Sequence, residues 1–225
     1  MKTILFGHES KDIKPLVEKL GFELVEKSPE LVICYGGDGT LMKGEASFPG
    51  VMKVLLRGSS RICKLCSSLP NEEVLERIIK GEYKTPEFFK LEAEAKGKTF
   101  RAINDITVHN KDARHAIRYR LWVGDKPIGG EIIGDGIVAS TPLGSTGYYR
   151  SITDSYFEVG IGLAFNNSTE QSDHIVLKED SVMKIKIIRG PAFIYADNQE
   201  EHIELNDNDE AVVKKSSHSV KIISV

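Results

Sequence analysis

The feature that most constrains the fold of this chain is a change in hydrophobic periodicity near residue 85. Before it, short apolar runs such as residues 31–35 alternate with stretches such as 13–20, in which apolar residues recur every three or four positions. After it, apolar and polar residues alternate singly, as in residues 117–123. The two patterns predict a doubly wound α/β domain over residues 1–85 and a β-rich, mostly antiparallel domain over residues 86–225.

Local signals predict the individual elements of the first half. Strands are expected over residues 3–6, 22–25, 31–35 and 52–56. Helices are expected over residues 12–20 and through the apolar positions 74, 75, 78 and 79. Pro15 is compatible with the first helix only if that helix begins near Asp12. Asn71 is the expected N-cap of the second helix, and Gly81 is expected to end it.

The balance of charges excludes several functional classes. The 225 residues include 30 Lys and Arg against 33 Asp and Glu, which gives a formal charge of −3, whereas nucleic-acid binders usually show a strong basic excess. No apolar run approaches the roughly 18 residues that a membrane span needs, and residues 1–10 lack the pattern of a signal peptide. The sequence therefore predicts a cytoplasmic protein with neither nucleic-acid nor membrane partners.

The first candidate site is the segment Gly36-Gly37-Asp38-Gly39-Thr40, which directly follows the apolar run 31–35. Its glycines let the backbone turn sharply and approach a ligand, and the N–H groups at the start of the next helix favour phosphate. Open α/β sheets bind ligands at this end of their strands. Asp38 could accept a proton from an attacking hydroxyl group or help to hold a metal ion. The alternative is an ordinary strand-to-helix turn that Asp38 caps.

The second candidate site joins the acidic turn Gly134-Asp135-Gly136 to residues 140–148, Ser-Thr-Pro-Leu-Gly-Ser-Thr-Gly-Tyr. It is not a P-loop, because it lacks the Gly-Lys-Ser/Thr ending. Its hydroxyl groups, backbone donors and acid suit ribose and phosphate oxygens, and Tyr148 can pack on a ring. The alternative is a polar loop between strands.

Together, these two segments resemble the signatures of the NAD kinase family. Residues 102–108, Ala-Ile-Asn-Asp-Ile-Thr-Val, are similar to the family's Asn-Glu strand, and Asp197-Asn198-Gln199 resembles its late Asp-Gly-Gln turn. The resemblance implies a Rossmann-like α/β domain, a β-rich domain, and transfer of a phosphoryl group from ATP or polyphosphate, with Mg²⁺, to NAD. The acceptor would be the 2′-hydroxyl of the adenosine ribose, and the product NADP. The resemblance also suggests a homodimer or homotetramer.

The same resemblance assigns roles to residues. It implies that Asp38 is the general base and that Asn104 and Asp105 hold the ribose or diphosphate of NAD. The glycines of the first motif would serve the phosphoryl donor. No resident metal ligand is implied, and the expected binding residues are Gly36, Gly37, Gly39, Thr40, Asn104, Asp105, Asp135, Thr141, Ser145, Thr146, Gly147 and Tyr148.

Two departures from the family pattern keep other functions open. Asp105 stands where the family has Glu, and a displacement of about 1 Å near a reacting centre can cost on the order of a hundredfold in rate. Residues 57–62 replace a segment of the family's nucleotide floor and carry two arginines that suit phosphate. The alternatives are a dinucleotide-binding regulatory module with weak or no transfer, and a kinase of another hydroxyl substrate.

The cysteines are too few for a disulfide scaffold, since only Cys34, Cys63 and Cys66 occur. Cys63 and Cys66 have the spacing of a metal-binding or redox pair. Because there is no second cysteine pair, buried or partly buried thiols are the favoured interpretation.

Overall fold

A computed structural model describes residues 1–59, 63–169 and 173–225 and divides the chain into two units. The first comprises Met1–Phe88 together with His218–Val225, and the second comprises Phe89–Ser217. The sequence places the boundary at residue 85 and all later residues in the second domain, so residues 218–225 differ from that expectation. They return to the first unit because Ile223 packs in its apolar core and donates its backbone N–H to the carbonyl of Lys53 at 2.7 Å.

The elements of the first unit are β1 (Lys2–Phe6), α1 (Ser10–Lys19), β2 (Glu23–Leu24), β3 (Leu31–Gly36), α2 (Asp38–Ser47), β4 (Met52–Arg57) and α3 (Asn71–Ile79). The four strands form a parallel sheet in the order β2-β1-β3-β4. The strand β3 is buried along most of its length, as its continuous apolar run predicts. After β1 the chain adds β2 on one side of it and then β3 and β4 on the other, so the strand order reverses direction between β1 and β3. Open parallel sheets bind ligands at such a switch point.

Two helix starts differ from the sequence predictions. The helix α1 begins at Ser10, so Pro15 lies inside it, where the missing N–H removes one helical hydrogen bond. In α3 the N-cap position belongs to Pro70, and the Asn71 side chain makes no cap. Instead, the Asn71 amide accepts the backbone N–H of Arg57 at 3.2 Å and donates to its carbonyl at 2.8 Å, which ties α3 to the end of β4.

The remaining elements are β5 (Glu87–Ala95), β6 (Lys98–Ala102), β7 (Asp105–Asn110), β8 (Ile117–Val123), β9 (Lys126–Gly134), β10 (Gly136–Ser140), α4 (Tyr148–Thr153), β11 (Ile161–Asn166), β12 (His174–Leu177), β13 (Met183–Arg189), β14 (Ala192–Ala196), β15 (Ile203–Leu205) and β16 (Glu210–Lys221). They belong to the second unit, except that the first two residues of β5 and the last four of β16 are assigned to the first. The strands form two six-stranded sheets, one in the order β12-β11-β10-β7-β14-β15 and the other in the order β6-β5-β16-β13-β8-β9. Strands within these sheets pair antiparallel, as β7 does with β10 and β14.

One apolar cluster draws residues from both sheets, with Ile137 and Leu163 from the first and Leu91 and Ile185 from the second. The two sheets therefore share a core, as in a β-sandwich. The single-residue alternation of β8 reflects this packing, because Ile117, Tyr119 and Leu121 are buried while their neighbours are not. The α/β first half and β-rich second half confirm the predicted fold class. Across the described ranges, no helix is both long enough and apolar enough to cross a membrane.

Candidate functional site

The glycine-rich segment 36–40 forms the turn between β3 and α2. A Cβ at Gly36 would collide with the side chain of Thr40, so the backbone can fold this tightly only at glycine. Gly37 occupies the N-cap position in an extended conformation, and Asp38 is the first helical residue. Asp38 therefore does not occupy the capping position that the alternative reading of this motif requires.

The carboxylate of Asp38 is held by the segment 63–66. Its two oxygens accept backbone N–H groups from Lys64 at 3.1 Å and from Leu65 at 3.2 Å. The Sγ atom of Cys63 lies 3.7 Å from the nearer oxygen. These contacts orient the acid from one side, through groups that have fixed positions in the loop.

Cys63 and Cys66 are joined by a disulfide bond. The expectation of free thiols at these positions is therefore wrong. The spacing of the pair lets the chain turn back on itself, so that the two Cα atoms lie 5.4 Å apart, within the range that a disulfide requires.

A second set of contacts ties the end of β4 to the same turn. The backbone N–H of Gly58 donates to the carbonyl of Gly36 at 3.2 Å. Ser59 donates to the carboxylate of Glu9 through its N–H at 3.1 Å and its hydroxyl at 2.6 Å, and these bonds hold the pKa of Glu9 below its usual value. Glu9 was not predicted from the sequence. Its position just after β1, at the carboxyl edge of the sheet, was the available signal.

Residues 57–62 are the segment that departs from the family's nucleotide floor. Of these, residues 60–62 lie outside the described part of the chain. Arg57, the first arginine of the segment, donates to the carbonyl of Cys63 at 3.4 Å. This contact joins the end of β4 to the disulfide loop.

In the second unit, Asp197 holds the turn formed by residues 103–105, which we name the Asn104 turn. Its carboxylate accepts three consecutive backbone N–H groups, from Ile103 and Asn104 at 2.8 Å each and from Asp105 at 3.2 Å. Burial raises the pKa of Asp197 to about 6, against the effect of these three bonds. Asp197 was recognised in the sequence only as part of a motif and was not included among the predicted site residues.

The second motif also holds the Asn104 turn, through the carbonyl groups of that turn. Thr141 donates its N–H to the carbonyl of Asn104 at 2.8 Å and its hydroxyl to the carbonyl of Ile103 at 2.6 Å. A Cβ at Gly144 would collide with the backbone of Asn104. Thr141 and Ser145 are both buried, and the Ser145 hydroxyl donates to carbonyls of Pro142 and Phe157. Both side chains therefore shape the loop from within.

The remaining predicted residues of this unit gather around Tyr148, the first residue of α4. Its hydroxyl accepts a hydrogen bond from Asn166 at 3.0 Å, and that amide lies 3.3 Å from the Nε2 atom of His109. Burial, followed by the negative charges of Asp105 and Asp135, raises the pKa of Tyr148. Thr146 and Gly147 immediately precede it, with Gly147 at the N-cap position of the helix.

Asp135 lies in the turn between β9 and β10 and is anchored by two amides. Its carboxylate accepts hydrogen bonds from Asn110 at 3.3 Å and Asn167 at 3.1 Å. Asp135 and Tyr148 are thereby fixed by neighbouring polar side chains on one sheet. Neither Asn110 nor Asn167 was predicted from the sequence, because both are brought to Asp135 by strand pairing.

The structure thus gathers the predicted residues into two groups, each within one unit. The first group is Gly36, Gly37, Asp38, Gly39 and Thr40, in one turn. The second contains Asn104, Asp105, Asp135, Thr141, Ser145, Thr146, Gly147 and Tyr148. Among the residues with described positions, no group of three or more His, Cys, Asp or Glu side chains is placed to hold a metal ion.

Comparison with known proteins relates this chain to one family. Residues 103–225, more than half of the chain, match the family described as the ATP-NAD kinase C-terminal domain. An NAD kinase from Alcanivorax borkumensis is 31% identical over 209 residues, which cover 86% of this chain and 69% of that protein. NAD kinases of Saccharolobus islandicus are 34% identical over 148 residues, covering 64% of this chain. The match spans 56% of the length of those S. islandicus proteins.

Two solved structures share the fold. The yeast NADH kinase complexed with NADH has a TM-score of 0.77 at 19% identity, covering 91% of this chain and 66% of its own. An NAD kinase from Archaeoglobus fulgidus in complex with ATP has a TM-score of 0.79 at 17% identity, covering 100% and 94%. The motifs, the fold and the sequence matches agree, and this chain belongs to the NAD kinase family.

Proposed function

We propose that this protein is an NAD kinase, which transfers the terminal phosphoryl group of ATP to the 2′-hydroxyl of the adenosine ribose of NAD and forms NADP. Family membership supports the reaction class. Relatives of the same fold bind NADH and ATP, which supports a dinucleotide acceptor and a nucleotide donor. The observation that carries the proposal is the Asp38 carboxylate, which two backbone N–H groups orient at the carboxyl edge of the parallel sheet.

In this proposal, residues 36–40 receive the phosphates of the donor. The glycines leave the backbone open to close approach, and the dipole of α2, a helix of 10 residues, places partial positive charge at its N-terminus, where it favours negative charge. Magnesium enters with the donor and offsets the charge of the phosphates. We assign the ion to Mg-ATP as substrate because no cluster of metal-ligating side chains occurs among the described residues. Polyphosphate carries the same terminal group and is an alternative donor.

Asp38 acts as the general base. As the 2′-oxygen forms its bond to the terminal phosphorus, Asp38 accepts the hydroxyl proton, and the bond to the bridging oxygen of the donor breaks to release ADP. Most of the rate enhancement in such a transfer comes from positioning. The two amides that orient the Asp38 carboxylate therefore contribute to catalysis indirectly.

The second unit binds the acceptor. The Asn104 turn presents Asn104 and Asp105, and Asp135 accepts hydrogen bonds from the ribose hydroxyls. Tyr148 packs on a ring of the dinucleotide. Thr141 and Ser145 support these groups from inside the loop, since their hydroxyls are already bonded to protein carbonyls.

A second candidate is a dinucleotide-binding regulatory module with weak or no transfer. The observation that favours it is Asp105, which is one methylene shorter than the family's Glu and has a pKa raised to about 7 by burial and by the charge of Asp197. A partly protonated, retracted carboxyl group can still bind a hydroxyl but positions it differently.

The deciding experiment measures NADP formed from NAD and Mg-ATP by the purified protein, with an NADP-specific dehydrogenase as detector. Asp38→Asn should lower kcat by on the order of 10²- to 10⁴-fold, the usual contribution of a general base. NAD binding measured by calorimetry should change little. The control is Asp12→Asn, which alters an exposed acid in the first turn of α1, in the same unit, and should retain wild-type kcat.

The outcomes separate the alternatives. Asp38→Asn with unchanged kcat would refute the role of this acid. NAD binding without phosphorylation from ATP or polyphosphate would support the regulatory module. Absence of NAD binding, together with phosphorylation of another alcohol in a substrate panel, would identify a different hydroxyl substrate.

We also propose, from the family resemblance, that the protein is cytoplasmic and forms a homodimer or homotetramer. Light scattering during size-exclusion chromatography measures the mass in solution. A mass equal to the 25.0 kDa of one chain would contradict the proposed assembly.

A further inference from the structure

We propose that Cys63 and Cys66 form a thiol–disulfide exchange site whose oxidation state controls the position of the Asp38 carboxylate. The exchange chemistry belongs to the cysteine pair itself. Only its expected effect on turnover rests on the proposed function, in which Asp38 is the general base. The site is therefore a modification site of the first unit, distinct from the groups that bind substrates.

The disulfide loop supplies the two backbone groups that hold Asp38. Both amide donors, Lys64 and Leu65, lie between the two cysteines, inside the ring that the disulfide closes. Cys63 itself lies 3.7 Å from the Oδ1 atom of Asp38. A covalent link that restricts this short loop also restricts the two N–H groups, so the orientation of Asp38 depends on the bond.

The two sulfur atoms differ in their access to a reductant. Cys63 is 8% exposed, whereas Cys66 is half-buried and lines a cavity of about 300 Å³ together with Lys64, Leu65 and Ser67. An attacking thiolate therefore reaches Cys66 first. Lys64 contributes a positive charge to the wall of the cavity, and a neighbouring cation stabilises thiolates during exchange.

The exchange needs a dithiol as its reductant, either a small molecule or a dithiol protein. One thiolate of the reductant attacks the Sγ atom of Cys66, and the Cys63–Cys66 bond breaks with its electron pair on the sulfur of Cys63, which takes up a proton. The second thiolate of the reductant attacks the mixed disulfide and releases Cys66, which also takes up a proton. Two electrons and two protons pass to the protein, and the reductant leaves as a disulfide.

Reduction changes the surroundings of Asp38 in two ways. The disulfide sulfur of Cys63 has no hydrogen to donate, whereas the thiol of reduced Cys63 can donate to the Oδ1 atom, 3.7 Å away. The loop also loses its covalent closure, so the N–H groups of Lys64 and Leu65 are free to leave the carboxylate. A base that is displaced and engaged by a new donor is a poorer proton acceptor, so the reduced protein should turn over more slowly.

The third cysteine serves as an internal reference. Cys34 is buried, and burial raises the pKa of its thiol to about 12. A thiol reagent applied to the folded protein near pH 8 should therefore leave Cys34 unmodified. Labelling of native protein then reports on Cys63 and Cys66 alone.

The first test does not depend on any enzymatic activity. Native protein is incubated with or without dithiothreitol, alkylated, and digested for mass spectrometry, while hydrogen exchange follows the amides of Lys64 and Leu65. Without dithiothreitol we expect no labelled cysteine. After reduction we expect label on Cys63 and Cys66 and faster exchange of the two amides. Two labelled cysteines in the untreated protein, or amide exchange unchanged by reduction, would overturn the proposal.

The second test measures turnover. Reduction should lower kcat by on the order of tenfold with little change in KM for NAD, and reoxidation should restore it. The double variant Cys63→Ser/Cys66→Ser should have the kcat of the reduced protein, and dithiothreitol should not change it. The kcat of Cys34→Ala should still fall when dithiothreitol is added. Circular dichroism before and after reduction establishes that each protein stays folded. Equal kcat in both redox states would refute the control of Asp38. Absence of activity in both states, with exchange intact, would instead contradict the proposed function.

Discussion

Asp105 combines partial burial with a second carboxylate close by. Burial and the negative charge of Asp197 raise its pKa from the usual value of 3.8 to about 7, and a hydrogen bond from Thr107 opposes the shift. The folded protein therefore binds this proton more tightly than the unfolded chain. The resulting stabilisation is fully present below about pH 3.8 and is lost as the pH rises through about 7.

The pH dependence of stability can be tested at this residue. Asp105→Asn is neutral at every pH, so its free energy of unfolding relative to wild type should increase between pH 5 and pH 8, by on the order of 2 kcal/mol. Urea denaturation at several pH values measures the difference. The control is Asp125→Asn, in the exposed turn before β9. Its free energy of unfolding should differ from that of wild type by the same amount at every pH. A constant difference for Asp105→Asn across this range would contradict the shifted pKa.

Single residues also mark the limit of what the sequence reveals. The position of Asp38 after a buried strand follows from periodicity and glycine content alone. Its amide donors at residues 64 and 65 do not, because they belong to a loop without periodicity that closes on itself through a disulfide. Asp197 is similar, since it is far along the chain from the Asn104 turn and meets it only because β14 pairs with β7.

At the scale of elements, the Asn104 turn joins the separate motifs of the second unit. Asp197 binds its N–H groups after β14, and Thr141 binds its carbonyls after β10. The turn is thereby fixed on both sides by elements that are distant in sequence. Such support is what an acceptor site needs, because a binding group keeps its geometry only if its own contacts are fixed.

Gly144 tests this packing. Gly144→Ala places a Cβ against the backbone of Asn104, so the loop and the turn must separate. We expect the KM for NAD to rise on the order of tenfold, with a loss of stability of about 1–3 kcal/mol. The matched control is Gly130→Ala, because a Cβ at that position meets no atom within 4 Å. Wild-type KM in Gly144→Ala, measured beside this control, would show that the contact has no role in binding.

Asp197 can be tested by a change that keeps its shape. Asp197→Asn replaces one acceptor oxygen with an NH₂ group, so one or more of the three N–H groups of the Asn104 turn loses its partner. We expect weaker NAD binding and an altered pH profile of KM, because the charge that raises the pKa of Asp105 is removed. Asp207→Asn, in the exposed turn between β15 and β16, is the control. An unchanged pH profile with reduced stability alone would limit Asp197 to a structural role.

The elements themselves were largely predictable, and the exceptions share a cause. The strands of the first sheet and the alternating strand β8 follow from periodicity, since burial on one or both faces selects the side chains. The start of α3 was misassigned because the Asn71 side chain bonds to Arg57, a residue of the preceding strand. Tertiary contacts of this kind compete with local capping preferences and leave no local pattern.

At the scale of the whole molecule, the chain passes from the first unit to the second and then returns. Residues 218–225 belong to the first unit, where Ile223 joins the apolar cluster that contains Val54 and Leu75. The backbone groups of residues 222–224 bond to Lys53, Lys84 and Pro86. The periodicity of the sequence predicted that this segment belongs to the β-rich half. The alternating pattern at the end of a strand is the same whichever unit's core the side chains enter, so it could not reveal that residues 218–225 belong to the first unit.

The contribution of this returning segment can be measured at Ile223, which is 7% exposed. Ile223→Ala should destabilise the first unit by about 2–4 kcal/mol, the usual cost of such a truncation in a core. Hydrogen exchange should therefore accelerate at the amides of β3 and α3, while those of β7 and β10 keep their protection, because Ile223 does not belong to the core of the second unit. Ser224→Ala, which removes an exposed hydroxyl from the next residue, should leave both regions unchanged. Equal acceleration in the two regions would mean that the units unfold as one cooperative body.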